Sequence, residues 1–134
     1  MTLMLALAPV AGCTLVNLSP QARFTESAHR LNDAARWGQV DMAAEEVSPT
    51  YRSRFLARRK EWGERVQIAE VELLYLQLMP DKEGAVSEIS LSWTDQAGVM
   101  LRKSFLTQRW ANERGNFRLV DELVKKGDPG VFAE

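Results

Sequence analysis

The sequence predicts an α+β domain, and three observations carry that prediction. Apolar residues recur at helical spacing through the first half of the chain. From Val66 onward they alternate with polar residues at a period of two. Short breaks rich in Gly, Asn and Asp separate the alternating runs. Helices first and a four-stranded antiparallel meander second make helices packed on one face of a curved sheet.

The length of 134 residues suits one domain. A hydrophobic fraction of 46% and a charged fraction of 26% are ordinary for a globular chain. Seventeen Lys and Arg against eighteen Asp and Glu leave a formal net charge of -1. That balance gives no support to nucleic-acid binding. A single Cys allows no disulfide within the chain, and a single His with that Cys cannot build a His/Cys zinc site.

The first stretch is apolar and uncharged from Leu3 to Ala8, is broken by Pro9, and ends in Val10-Ala11-Gly12-Cys13. It is too short to cross a hydrocarbon core, which needs roughly 20 helical residues. An aliphatic residue, two small residues and a Cys resemble the lipobox of bacterial lipoprotein precursors. The resemblance implies a signal peptide over residues 1–12 and a diacylated Cys13 as the first mature residue. It also implies attachment to the membrane in the bacterial cell envelope. One feature departs from the pattern: no Lys or Arg precedes Arg23. Thr14 replaces the Asp that resembles an inner-membrane retention signal, which points to the outer membrane. Residues 13–21 form the lipidated N-terminus and a tether; Thr14 to Gln21 spans at most roughly 25 to 30 Å.

Ser19-Pro20 is a helix start, since Ser caps and Pro fits the first helical position. Phe24, Ala28, Leu31 and Ala35 then form one stripe on a helix from about Ala22 to Arg36, ended by Trp37-Gly38. Asp41 is a fitting cap for a short helix from Met42 to Val47, and Ser48-Pro49 stops it. A third helix, about Thr50 to Trp62, carries Tyr51, Phe55, Leu56, Arg59 and Trp62 on one face. It is also the most basic part of the chain, and its charges read as a solvated face more readily than as a lipid contact.

Strands are expected over Val66 to Leu78, Val86 to Thr94, Val99 to Trp110 and Phe117 to Glu122. The first contains a phase slip: Val66 and Ile68 fall on even positions, Val71, Leu73 and Tyr75 on odd ones. A β-bulge near Ala69-Glu70 restores one face and bends the strand. The domain thus covers residues 22–124, with a loose tail over residues 125–134 from which Val131 and Phe132 could dock.

This order of elements resembles the nuclear-transport-factor-2-like superfamily, whose cystatin-like cone wraps a sheet around helices. Gln108-Arg109-Trp110 before a turn, then Gly115-Asn116-Phe117-Arg118-Leu119-Val120-Asp121, resemble the closing strands of many members. The superfamily contains isomerases, dehydratases, ligand binders and association modules, so the fold does not choose a function. Its enzymes hold an Asp, His or Tyr inside the cone. Here Tyr51, Tyr75 and Trp93 are the candidates for lining a pocket, though aromatic residues at such spacing are more often core. His29 could be a pocket His but reads more readily as helix surface, and Glu70 and Glu72 fit a carboxylate pair and a solvated face equally well. No nucleophile–base set, phosphate loop, metal cluster or cofactor motif is present, so no catalytic residue is assigned.

Two functions remain open. One is a lipid-anchored, non-catalytic module that binds a partner or itself. The other is a pocket protein for a small apolar ligand, with isomerase- or dehydratase-like chemistry in reserve. Trp93 and Phe105 are expected in the core. Strands apolar on both sides suggest a covered outer face, with Leu74, Leu76, Leu106 and Trp110 as candidate contacts for a homodimer or an envelope protein partner. The alternative is that bulges return several of these residues to the core.

Overall fold

The computed structural model describes residues 18–133. The stretch expected to be a signal peptide, and Cys13, therefore lie outside the described residues.

Three helices precede a four-stranded antiparallel sheet of order β1-β2-β3-β4. Helix α1 (Pro20–Arg36) starts where Ser19 accepts a hydrogen bond from the Ala22 amide, and Pro20 occupies the first turn. Gly38, at φ 74°, lets the chain leave the helix. The second helix is shorter than expected. It is a single turn, α2 (Val40–Ala43), that tightens into a 3-10 turn over Ala44–Glu46. Asp41 sits inside the first turn and Gln39 holds the cap position. Helix α3 (Pro49–Arg58) also stops early, at Arg59, and Trp62 lies beyond it.

The strands are β1 (Gln67–Leu78), β2 (Gly84–Thr94), β3 (Leu101–Glu113) and β4 (Asn116–Gly127). Helix α1 touches both β1 and β4, the two edges of the sheet, so the sheet curls around it. A bulge between Ile68 and Glu70 falls where the phase slip predicts one. A second, between Leu73 and Tyr75, has no such signal in the sequence. It leaves Leu74 unpaired and shifts the phase, so Leu76 and Leu78 join Val71 and Leu73 against the core.

The core beneath the sheet is filled by Phe24, Leu31, Phe55, Leu91, Trp93 and Phe117, among others. Phe24 meets the edge of Trp110 at a centroid distance of 5.8 Å and Phe117 at 5.6 Å. The tail is not loose. Strand β4 runs five residues past its expected end, from Glu122 to Gly127, because Ser104 to Gln108 of β3 continue to pair with it. A 3-10 turn over Pro129–Val131 follows, and Val131 and Phe132 are buried. Trp62 Nε1 donates to the Val131 carbonyl at 2.8 Å, and Phe132 stacks on Trp62.

Candidate functional site

The inner face of the sheet should be apolar if it only packs against helices. It is not: Ser87, Ser104, Gln108 and Glu122 all point inward and all are buried. Ser87, Gln108 and Glu122 belong to one chain of hydrogen bonds, while Ser104 Oγ separately accepts from Trp93 Nε1 and donates to the Asp128 carbonyl. Arg59, at the end of α3, donates from Nη1 to Glu122 Oε1 at 2.5 Å and from Nη2 to Glu122 Oε2 at 2.6 Å. This is a bidentate ion pair with both side chains fully buried. Gln108 Nε2 donates to Glu122 Oε2 and to Asn32 Oδ1, each at 2.9 Å. Gln108 Oε1 accepts from Asn32 Nδ2 at 3.0 Å and from Ser87 Oγ at 2.8 Å. Trp110 Nε1 donates to Ser87 Oγ at 2.9 Å. The network ties α1, α3, β2, β3 and β4 together through side chains.

The Arg59 guanidinium is also enclosed by aromatic rings. Its carbon lies 4.0 Å from the Phe55 centroid, 4.8 Å from Trp62 and 5.0 Å from Phe132. Arg59 Nε has no hydrogen-bond partner among the described residues, and the ring faces supply the attraction there. Tyr51 borders the same region. Burial, the largest cause, and the Glu122 charge raise its phenol above the ordinary 10.0, so at neutral pH it is a neutral group that accepts from Arg58 Nη1 at 3.0 Å.

Acid–base chemistry needs a group within hydrogen-bond reach of a bound substrate. In this network the donors and acceptors of Gln108 and the oxygens of Glu122 are consumed by each other. The sequence reading missed Arg59, Glu122, Gln108, Asn32 and Ser87 as a unit. The available signal was slight: Glu122 and Gln108 occupy inward positions of their strands, where an apolar residue is the usual choice.

The three candidate pocket residues do not line one cavity. Trp93 is buried and donates through Nε1 to Ser104 Oγ at 2.9 Å. Tyr51 is buried on α3. Tyr75 is 46% exposed on the opposite face of the sheet, where its hydroxyl donates to Gln77 Oε1. Two of the cavities among the described residues are surface grooves. One of about 630 Å³ lies between Ser48–Thr50 and the β3–β4 turn, and one of about 330 Å³ lies between α1 and β1 beside His29, Asp33 and Glu72. No group of three or more His, Cys, Asp or Glu among the described residues is placed to hold a metal ion.

The candidate interface residues also divide. Leu106 and Trp110 are fully or almost fully buried in the core, so neither is open to a partner. Leu76 pairs with inward-facing Ser87 and packs on the core. Only Leu74, at 48% exposed, remains outside. The misreading has a physical cause. Polar Ser104 and Gln108 alternate with Leu106 and Trp110 on the inner face of β3, while Phe105 lies on the outer one, so side-chain polarity points to the wrong face. Phe105 is half-buried beneath Lys126 and Lys103, whose ammonium groups stand 4.4 Å and 5.6 Å from its ring. It is not the core residue that alternation predicts.

No protein-family model matches the sequence, and none of the curated proteins is similar to it at a significant level. Solved structures do match. A SEC-C motif containing protein from Rhodopseudomonas palustris aligns with a TM-score of 0.59 at 13% identity, over 71% of this chain and 73% of that one. A protein of unknown function with a cystatin-like fold from Nostoc punctiforme aligns with a TM-score of 0.54 at 12% identity, over 80% of this chain and 90% of that one. At such identities the likeness concerns the fold. The chain is an α+β domain with a cystatin-like fold.

Proposed function

We propose that this chain is a lipid-anchored protein of the bacterial cell envelope whose folded part is a non-catalytic association module. The anchor rests on Val10-Ala11-Gly12-Cys13 and the apolar run before it. No helix among the described residues is long and apolar enough to cross a membrane; in this reading the attachment is made by lipid on Cys13. Two or three acyl chains hold stably where one gives marginal binding. Thr14 after the Cys favours the outer membrane.

The observation that carries the association reading is the filled cone. A ligand-binding member of such a fold needs an enclosed cavity with convergent polar groups. Here aromatic side chains occupy the interior, and its polar groups satisfy one another. What the domain offers outward is apolar surface on the other side of the sheet: Leu74, Tyr75 and Leu123 are each about half exposed. Exposed apolar surface of this kind favours a protein partner.

Fractionation of cells expressing the full chain tests the anchor. The intact protein should sediment with membranes, with the outer-membrane band on a sucrose gradient. Cys13→Ser should release it or leave an uncut precursor. Membrane retention of a normally cleaved Cys13→Ser protein would sink the proposal.

A further inference from the structure

Strand β2 ends at Thr94, and β3 begins at its partner Leu101. Residues 95–100 form the hairpin loop between them. The first half of the loop is well tied. The Asp95 carboxylate accepts from the Ala97 amide at 3.1 Å, and the Gly98 amide donates to the Asp95 carbonyl at 3.0 Å. Gly98, at φ 67°, turns the chain back. Val99 and Met100 follow, and they have no ladder partner because β2 has already stopped. Val99 is 88% exposed, Met100 63% and Leu101 65%. Single apolar side chains on a surface are ordinary. Three in succession at a hairpin tip are not, and nothing among the described residues covers them.

The surface behind the tip is cationic. Leu101, Lys103 and Phe105 alternate onto the outer face of β3, and Lys126 of β4 stands opposite Phe105. The Lys103 and Lys126 ammonium groups lie over the Phe105 ring. Among the described residues neither has a carboxylate partner, whereas Lys125 is taken up by Glu88 at 2.8 Å. The carboxylates beside the loop are committed as well, Asp95 and Asp128 both to Arg102. Glu70 shares a row with Lys103 but stands on β1, two strands away. The cationic part of this end is therefore the β3–β4 side of the tip. Lys103 is two residues, about 7 Å, behind Leu101. Interfacial elements bury their apolar side by about 5–10 Å, so a tip among acyl chains puts Lys103 in the headgroup layer. Lys126, two residues further back, stays within a Debye length of about 8 Å of that layer.

We propose that this hairpin tip dips into a lipid surface: Val99, Met100 and Leu101 enter the interface of a bilayer containing anionic lipid, and Lys103 and Lys126 attract its headgroups. The inference goes beyond the association reading and does not need a lipid on Cys13. A bilayer is the occupant that these features fit. A standard protein partner covers about 800 Å² on each side, and three side chains on a convex tip are a small part of that. A bilayer asks for no complementary shape, only apolar groups with cations behind them. The tip lies at the end of α1 away from Leu18. Phe24 packs on Trp110 and Phe117 near the β3–β4 turn, while Arg36 donates to the Ala69 carbonyl near the start of β1, the strand end that pairs with Thr94. Helix α1, with 17 residues, is about 25 Å long. With α1 lying along the surface, one bilayer accommodates both an anchor ahead of Leu18 and the tip.

The test uses the full chain with Cys13→Ser, which removes its only thiol and any lipid there. Met100→Cys, or Asn116→Cys at the β3–β4 turn, then carries an environment-sensitive nitrobenzoxadiazole label. On vesicles of phosphatidylethanolamine and phosphatidylglycerol the Met100 probe should shift to the blue and be quenched by nitroxides on the acyl chains. The Asn116 probe should do neither. The apolar run from Leu3 to Ala8 is common to every variant, so the position of the probe decides. Leu101→Ser should weaken insertion of the Met100 probe at least tenfold, the loss expected for one buried leucine side chain, at an unchanged melting temperature. Lys103→Gln should weaken it about fivefold, with Lys126→Gln in the same direction, and neither should matter on phosphatidylcholine. A Met100 probe that stays aqueous, equal quenching at Met100 and Asn116, or indifference to Leu101→Ser overturns the inference. So does a shift seen with native membranes and absent with vesicles of their extracted lipid, which would give the tip to a protein. Because Cys13 is replaced throughout, insertion of the tip stands even if the anchor fails, and an aqueous tip leaves the anchor untouched.

Discussion

Replacing Glu122 with Ala would leave the Arg59 guanidinium buried with no counter-charge, since both its Nη atoms end on that carboxylate. Removing one member of a buried pair typically costs about 3 to 5 kcal/mol. We expect Glu122→Ala to lower the melting temperature by more than about 10 °C, at roughly 4 °C per kcal/mol for a domain of this size. Replacing both partners, as Arg59→Met with Glu122→Leu, should recover most of that loss, because apolar pairs of similar volume often substitute for buried ions. Thermal denaturation of the three proteins decides the matter; a double variant no more stable than Glu122→Ala would show that the core needs the charges and hydrogen bonds of the pair and not only its volume. Trp93→Ala should likewise remove about 3 to 5 kcal/mol, since the ring is buried and its Nε1 is satisfied by Ser104. At this scale the sequence is least informative. Arg59 shares a helical face with Tyr51 and Phe55, and Glu122 falls on an inward strand position, but the two lie on different elements, 63 residues apart, and nothing local joins them as a pair. Charged side chains are read as surface by default, and that default fails here because the partner is distant.

The segment after β4 acts as a strap over the mouth of the cone. Gly127 is its hinge: at φ 89° its missing side chain avoids the Lys103 carbonyl, which would lie 2.3 Å from a Cβ. Gly127→Ala should destabilise by at least about 2 kcal/mol, from the left-handed backbone and the backbone contact together. Limited trypsin digestion should then release the strap more quickly after Lys125 or Lys126. Asp128 is the latch. It accepts from Arg102 Nη1 at 2.7 Å and from the Gly130 amide at 2.8 Å. The Arg102 hydrogen bond, the larger cause, and then the Gly130 amide hold its carboxyl below the ordinary 3.8. A depressed carboxyl stabilises the fold fully above its unfolded value and loses that contribution as pH falls through the folded one. Strap docking should therefore be insensitive to pH above about 5 and weaken below about pH 4, with Asp128→Asn removing that dependence. Proteolysis of the strap by pepsin at stepped pH measures it. Elements were more legible than residues. Ser19-Pro20, the helical stripe of α1 and the Ala69 bulge all follow from local pattern. The second bulge does not, because Leu73, Leu74, Tyr75 and Leu76 are all apolar and any phase fits them.

For the molecule as a whole, the filled interior sets an expectation about ligands. Small apolar compounds, steroids and aromatic acids included, should shift the melting temperature by less than about 1 °C, whereas a ligand occupying a site in the folded state at 100 times its Kd would add about 2.7 kcal/mol. A clear upward shift would return the pocket reading to first place. The class of fold was readable from periodicity alone, because helices and strands differ in repeat and the order of the two patterns limits the architecture. Which face of β3 is inner was not. Its inner side mixes Ser104 and Gln108 with Leu106 and Trp110, and its outer side carries Phe105, so alternation within that strand does not choose. The tertiary structure decides it, by pairing the polar side chains in the core.

The strap has one more consequence, for the order in which the chain can acquire its shape. Arg59 finds its counter-charge in Glu122, and Trp62 its Nε1 acceptor and stacking partner in Val131 and Phe132. Until those residues have left the ribosome, the helical half has an unpaired buried cation and no lid. A nascent chain of this design is expected to close late, once the C-terminal residues that complete these contacts have emerged. Under the proposed envelope location, late closure would keep the chain threadable until it reached a translocation channel.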